Sequence, residues 1–131
     1  GGRAEEEDAS PVETALREAE EEIGLHRRYV VEIAGFLDLY QTITGFLVTP
    51  VVGFVTPPFE LTLDDFEVAE AFEVPLEFIL DPRHHEQRSV LYQGQPRRYY
   101  VIPYQDRFIW GATAAMLVNF ARRLTGNPLS L

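Results

Sequence analysis

Cysteine is absent from this 131-residue chain. That excludes disulfides and thiolate metal sites, and it favours an intracellular, cytoplasmic home. Lysine is absent too. All eleven basic residues are arginine, against 21 acids, for a formal net charge of -10. So little positive charge argues against nucleic acid as a main partner, because phosphate binding depends on cations. An anionic small molecule remains possible where local arginines and bound metal offset the field. No run of 18 apolar residues occurs, so no membrane-spanning helix is expected. Repeats and low-complexity linkers are missing as well. The hydrophobic content of 46% excludes global disorder and suits one packed domain over residues 1–131.

What is present in excess is acid, and it is concentrated. Arg17-Glu18-Ala19-Glu20-Glu21-Glu22-Ile23-Gly24-Leu25 holds four acids in five residues near the end of an expected helix. On a helix, Glu18, Glu21 and Glu22 stand at i, i+3 and i+4 and share one face. Like charges so spaced cost roughly 0.2–0.5 kcal/mol per pair. Acids in the last turn also oppose the helix dipole, at about 0.3–1 kcal/mol each. Energetics alone leave two readings open, a solvated acidic face or a cation site. Oxygen-only ligands would suit a hard cation, Mg2+ or Mn2+.

The helix itself is well specified. Ser10-Pro11-Val12-Glu13 reads as a capping box with proline at the first helical position, and Gly24 as the terminating glycine. Val12, Ala15, Leu16, Ala19 and Ile23 form an apolar arc. Glu13 and Glu20 point elsewhere and read as solvent acids. Further along, Tyr29–Ile33 reads as a strand, with a second at Phe36–Tyr40. The apolar run Gly45–Val55 reads as a buried strand broken at Pro50. Phe72–Leu76 reads as a short strand before a turn or brief helix. Ser89–Tyr92 and Arg98–Pro103 flank Gln93-Gly94-Gln95-Pro96 as a hairpin, and Ala112–Leu124 reads as a helix with Leu117, Phe120, Ala121 and Leu124 on one face. The mixture suits an α/β/α sandwich.

These residues resemble a known family. Gly1-Gly2 followed by Arg17–Leu25 is similar to the Nudix box, whose core reads R-E-U-x-E-E-x-G-U (U aliphatic). The usual acid eight residues before the arginine is Ala9 here, and Asp8 lies one residue earlier. That loop form, with Thr44–Gly53 and Phe108–Ala114, resembles the coenzyme A pyrophosphatase branch. The resemblance implies a Nudix-like α/β/α sandwich with a central mixed β-sheet. It also implies that Glu18, Glu21 and Glu22 ligate Mg2+ or Mn2+, joined by a backbone carbonyl of Gly1, with Arg17 as a positioning residue. Glu67 is favoured over Glu70 and Glu73 as a further metal-binding or base glutamate on a loop. The branch's arginine-rich signature and the family's first strands would precede Gly1, so the N-terminal strands are expected to be missing.

The implied activity is hydrolysis of a pyrophosphate bond in coenzyme A or its derivatives, giving 4′-phosphopantetheine and adenosine 3′,5′-bisphosphate. Two alternatives stand beside it. One is the same chemistry on another nucleoside diphosphate derivative, such as ADP-ribose, NADH or a dinucleoside polyphosphate. The other is a non-catalytic, ligand-binding regulatory domain. A small-molecule nucleotide is the expected partner, with a homodimer as a possible assembly. His84-His85 and His26 lack the i, i+4 spacing of a helical zinc site and read as solvent-exposed. Tyr40, Tyr99, Tyr100, Tyr104 and Trp110 could stack on adenine, but packing is the favoured reading. Phe46 and Trp110 read as structural.

Overall fold

Ser10 begins the first helix as its sequence dictates. The backbone at Ser10 is extended, its Oγ accepts the Glu13 N–H at 3.2 Å, and α1 runs Pro11–Ile23. The computed structural model describes residues 2–57, 59–66 and 68–126. After α1 come β1 (Val30–Phe36), β2 (Tyr40–Gln41), β3 (Leu47–Val48), β4 (Val51–Val55), α2 (Leu76–Leu80), β5 (Glu86–Tyr92), β6 (Gln95–Tyr104), β7 (Arg107–Trp110) and α3 (Gly111–Thr125). The chain divides into two compact units, Gly1–Phe36 with Thr49–Phe72, and Leu37–Val48 with Glu73–Leu131.

In the first unit, α1 lies against β4, which pairs antiparallel with β1. The apolar arc of α1 is half-buried. Thr14 is the one buried side chain here among the described residues. Gly45–Val55 departs from the expected buried strand. Pro50 separates β3 from β4, and the two pieces pair in different ladders. Neither is buried throughout, since Leu47 is 70% and Phe54 58% exposed.

The second unit holds the packed core. Ile79, Ile102, Ala114 and Val118 are buried together, with Val74, Phe78, Tyr100, Ile109 and Leu117 against them. The hairpin is longer than the sequence suggested. Its turn, Gln93-Gly94, has positive φ at both residues (50° and 78°), the geometry a two-residue hairpin turn needs. A second tight turn, with Gln105 at φ 55°, adds β7, to which the sequence reading assigned no element. The buried face of α3 is Ala114, Val118 and Ala121, while Leu124 is 56% exposed. Of the expected face, Ala121 is buried and Leu117 packs on the core, with Ala114 and Val118 joining them as small side chains against the sheet.

The α/β class holds. Within it, all described strand pairs are antiparallel, four ladders in three separate sheets rather than one mixed sheet. Two of these ladders are closed by tight turns, which can join only antiparallel strands. Phe72–Leu76 forms no strand, and Pro75 instead precedes the short α2. No helix among the described residues is long and apolar enough to cross a membrane.

Candidate active site

Arg17 is the hub of the acidic cluster. Its Nε donates to Asp8 Oδ1 at 3.0 Å and its Nη2 to Asp8 Oδ2 at 3.1 Å, a bidentate fork. Nη1 donates to Glu18 Oε1 at 3.2 Å and to Glu21 Oε2 at 3.1 Å, and Nη2 reaches the Arg3 carbonyl at 3.0 Å. One guanidinium thus ties the entering loop to two carboxylates of the helix. The sequence reading placed Arg17 against Glu21 or Glu18, and the structure has both. It did not assign Asp8 a role. The signal was the displaced acid. The extra loop residue leaves Asp8, not Ala9, facing the arginine.

Asp8 is satisfied on every side. It accepts the Glu5 N–H at 2.8 Å and the Thr14 hydroxyl at 3.0 Å in addition to Arg17. The Arg17 fork and then the Glu5 N–H lower its carboxyl to about 2. Glu18 is the opposite case. Its side chain is only 13% exposed. Burial, then the Glu22 carboxylate within hydrogen-bonding reach, raises the Glu18 carboxyl above its ordinary value, with Arg17 pulling the other way.

The energetic puzzle of the sequence is therefore half solved by the protein itself. Arg17 compensates Glu18 and Glu21, while the Glu22 carboxylate stands against Glu18 and pushes its carboxyl up. Among the described residues, no three acidic or histidine side chains are gathered as a metal-holding cluster. Glu21 is turned to Arg17 and 57% exposed. The donor chemistry of Glu18 and Glu22 nevertheless suits a hard divalent cation, which would offset two apposed carboxylates. Gly1 and Glu67 lie outside the described residues. Gly2 does not. A Cβ on Gly2 would collide with Glu18 Oε1, so the second glycine leaves the room that the Glu18 carboxylate occupies.

The end of α1 is built for a close neighbour. Gly24 takes the left-handed conformation (φ 69°), its N–H bonded to the Glu20 carbonyl at 3.0 Å. The Thr62 and Asp64 N–H groups donate to the Ile23 and Glu22 carbonyls, both at 2.8 Å. A Cβ on Gly24 would lie 2.7 Å from Thr62 N. Gly24 is thus required both as a cap and as the seat of this strap. An open hollow of about 580 Å3 flanks Arg17, lined by Glu7, Asp8, Glu13, Glu21 and Arg27, but by neither Glu18 nor Glu22.

The remaining expected residues are placed as follows. Glu13 is not a plain solvent acid. It holds Arg27 in a fork at 2.9 Å on both oxygens, so only the Ser10 half of the capping box forms. His84 and His85 are half-buried rather than solvated. Their rings bond the Phe78 and Ile79 carbonyls at 2.8 and 2.7 Å, closing the end of α2, and His84 stacks on Phe78. His26 is exposed and accepts the Arg28 N–H. Tyr99 meets Trp110 edge-on, Tyr104 meets Phe78, and Tyr100 packs on the core.

A helix of this motif, Gly2 against its Glu18 and an α/β frame define the Nudix class, and the NUDIX domain model matches residues 1–94. The chain belongs to the Nudix family. It is 36% identical over 128 residues to a protein of Pectobacterium atrosepticum, covering 98% of this chain and 66% of that one. It is 39% identical over 125 residues to one of Photorhabdus laumondii, covering 95% and 66%. It is 34% identical over 128 residues to one of Escherichia coli K12, covering 98% and 66%. Each of the three is named "Uncharacterized Nudix hydrolase NudL". The chain spans just under two thirds of the length of these curated relatives.

Proposed function

We propose that this chain forms a single Nudix domain that hydrolyses a pyrophosphate bond in a nucleoside diphosphate derivative with the help of Mg2+ or Mn2+. Coenzyme A or a derivative is the favoured substrate, cut to 4′-phosphopantetheine and adenosine 3′,5′-bisphosphate. The observation that carries the reading is the apposition of the Glu18 and Glu22 carboxylates, Glu18 only 13% exposed, on a Nudix helix. Glu18 and Glu22 would hold the cation, with Glu21 joining once released from Arg17, and Gly1 and Glu67 completing the set. When bound, the metal neutralises pyrophosphate charge and makes water a better nucleophile.

The residues of the chain do the rest. Arg17 orients Glu18 and fixes the loop from Arg3 to Asp8 against α1. Asp8, ionised throughout the physiological range, keeps Arg17 from swinging away. The absent Cβ of Gly2 leaves Glu18 free to meet a ligand. Glu67 is the favoured further glutamate for general base or ligand. The coenzyme A preference rests on the Asp8 loop form and on the stretches Thr44–Gly53 and Phe108–Ala114.

The decisive test is a substrate panel. The full-length protein is incubated with coenzyme A, ADP-ribose, NADH and dinucleoside polyphosphates, with Mg2+ or Mn2+. Cleavage of coenzyme A first among them supports the proposal. Preference for another member keeps the chemistry and changes the substrate. No cleavage of any, with binding retained, assigns the domain to ligand binding.

A further inference from the structure

Thr14 is a polar side chain at a place in α1 where an apolar one would bury more cheaply. It is the one buried polar residue among those described, 8% exposed. Threonine is also a weak helix former. One account is that its hydroxyl bonds back to the carbonyl four residues earlier, as threonine in a helix often does. That carbonyl, of Ser10, lies at 3.3 Å, but Asp8 Oδ2 is nearer at 3.0 Å and carries charge. A hydroxyl has one proton to give, and a carboxylate takes it in preference to a carbonyl. The Ser10 carbonyl has its own donor, the Thr14 N–H at 3.0 Å.

Of the three groups that hold Asp8, this one alone is rooted in a buried position. Glu5 belongs to the same exposed loop, and the Arg17 side chain is long and 22% exposed. Thr14 is buried, and its branched Cβ allows it few rotamers. A line of hydrogen bonds runs from Thr14 through Asp8 and the Arg17 fork to Glu18 Oε1. We propose that Thr14 is a positioning residue, which through Asp8 fixes the Arg17 guanidinium against Glu18. Its effect on turnover rests on the reading of the Glu18–Glu22 pair as the hydrolytic site. Its effect on Arg17 does not.

The full-length protein with Mg2+ is assayed on coenzyme A and on ADP-ribose. Thr14→Val keeps the branched shape and removes the hydroxyl. It is expected to lower kcat roughly tenfold with KM unchanged, the lower end of what is lost when a ligand's orienting partner is removed. Thr14→Ser keeps the hydroxyl and restores kcat. In an Asp8→Ala background Thr14→Val costs nothing further, because the line is already cut. Undiminished turnover in Thr14→Val overturns the proposal. So does a loss of equal size with and without Asp8, or one that Thr14→Ser does not restore, since either marks a packing role. Thr14→Ala repeats the test should Thr14→Val not fold. A second readout needs neither metal nor substrate. The Arg17 Nε–H signal in the proton–nitrogen NMR spectrum, assigned by its loss in Arg17→Lys, should move in Thr14→Val and keep its place in Thr14→Ser. If the wild-type protein cleaves neither substrate, the hydrolytic reading fails by itself and this signal decides. An Arg17 signal that Thr14→Val leaves unmoved overturns the proposal.

Discussion

Arg17 changes what the acid run means. From sequence, three carboxylates at i, i+3 and i+4 read as a solvated acidic face or as a cation site. The structure supplies one for Glu18 and Glu21 and leaves Glu18 crowded by Glu22. The run and its spacing were legible, because helical periodicity is a local property. The partner of Arg17 was not, because Asp8 reaches it only through a loop whose length differs by one residue from the usual pattern. Two predictions belong here. Glu22→Gln removes a proposed ligand and also relieves repulsion, so turnover should fall by about a hundredfold or more while the metal-free melting temperature does not drop. Undiminished turnover at saturating Mg2+ would sink the ligand assignment. Asp8 supplies the pH dependence. Its folded pKa of about 2 lies below its ordinary 3.8, so its contribution to stability is full above 3.8 and is lost as pH falls toward 2. The stability gap between wild type and Asp8→Asn should therefore be constant at neutral pH and close between pH 4 and 2. A gap that persists at pH 2 would show that Asp8 acts through something other than its charge.

Elements with both ends marked by local chemistry were readable in advance. Ser10, Pro11 and Gly24 bracket α1, and the observed helix runs between them. The hairpin turn was readable for the same reason, since Gly94 suits its positive φ. The turn at Gln105 was not, because a non-glycine at positive φ leaves no compositional signal, and β7 was missed with it. The face of α3 was read in part: Leu117 and Ala121 pack inward as expected, but Ala114 and Val118 carry the close packing and Leu124 is left exposed. Glycine also sets the two tests at this scale. Gly24→Ala meets a left-handed φ and the Thr62 backbone at once. It should cost about 1–2 kcal/mol from conformation alone, and more as the strap is pushed off. Denaturant unfolding measures this, and a loss below 0.5 kcal/mol, on the order of an ordinary surface change, would contradict the seat. Gly2→Ala should behave differently. Its Cβ meets only the tip of the Glu18 side chain, which can swing away. Stability should hold while turnover falls, and the reverse pattern would remove Gly2 from the site.

Charge is divided unevenly over the whole molecule. The unit holding α1 has fifteen acids against four arginines, and the other has six against seven. All the net negative charge therefore lies with the unit that has no buried apolar side chain among the described residues. Self-repulsion and a thin core act there together, and both make it the part most responsive to a bound cation. A cation that binds only the folded state stabilises by mass action, by about 2.7 kcal/mol at a hundredfold excess over its dissociation constant. For a chain of this size that corresponds to a rise of roughly 10 °C in melting temperature. General screening by salt is weaker at millimolar concentration, because the Debye length is then far longer than the spacing within the cluster. Millimolar Mg2+ or Mn2+ should therefore raise the melting temperature well beyond NaCl of matched ionic strength. The excess should vanish in Glu18→Gln and Glu22→Gln, but persist in Glu13→Gln, whose carboxylate serves Arg27. Equal responses to Mg2+ and NaCl would mean that the acids act only as a diffuse field. The Glu18–Glu22 pair would then lose its place as a metal site, and the non-catalytic reading of this Nudix domain would take over.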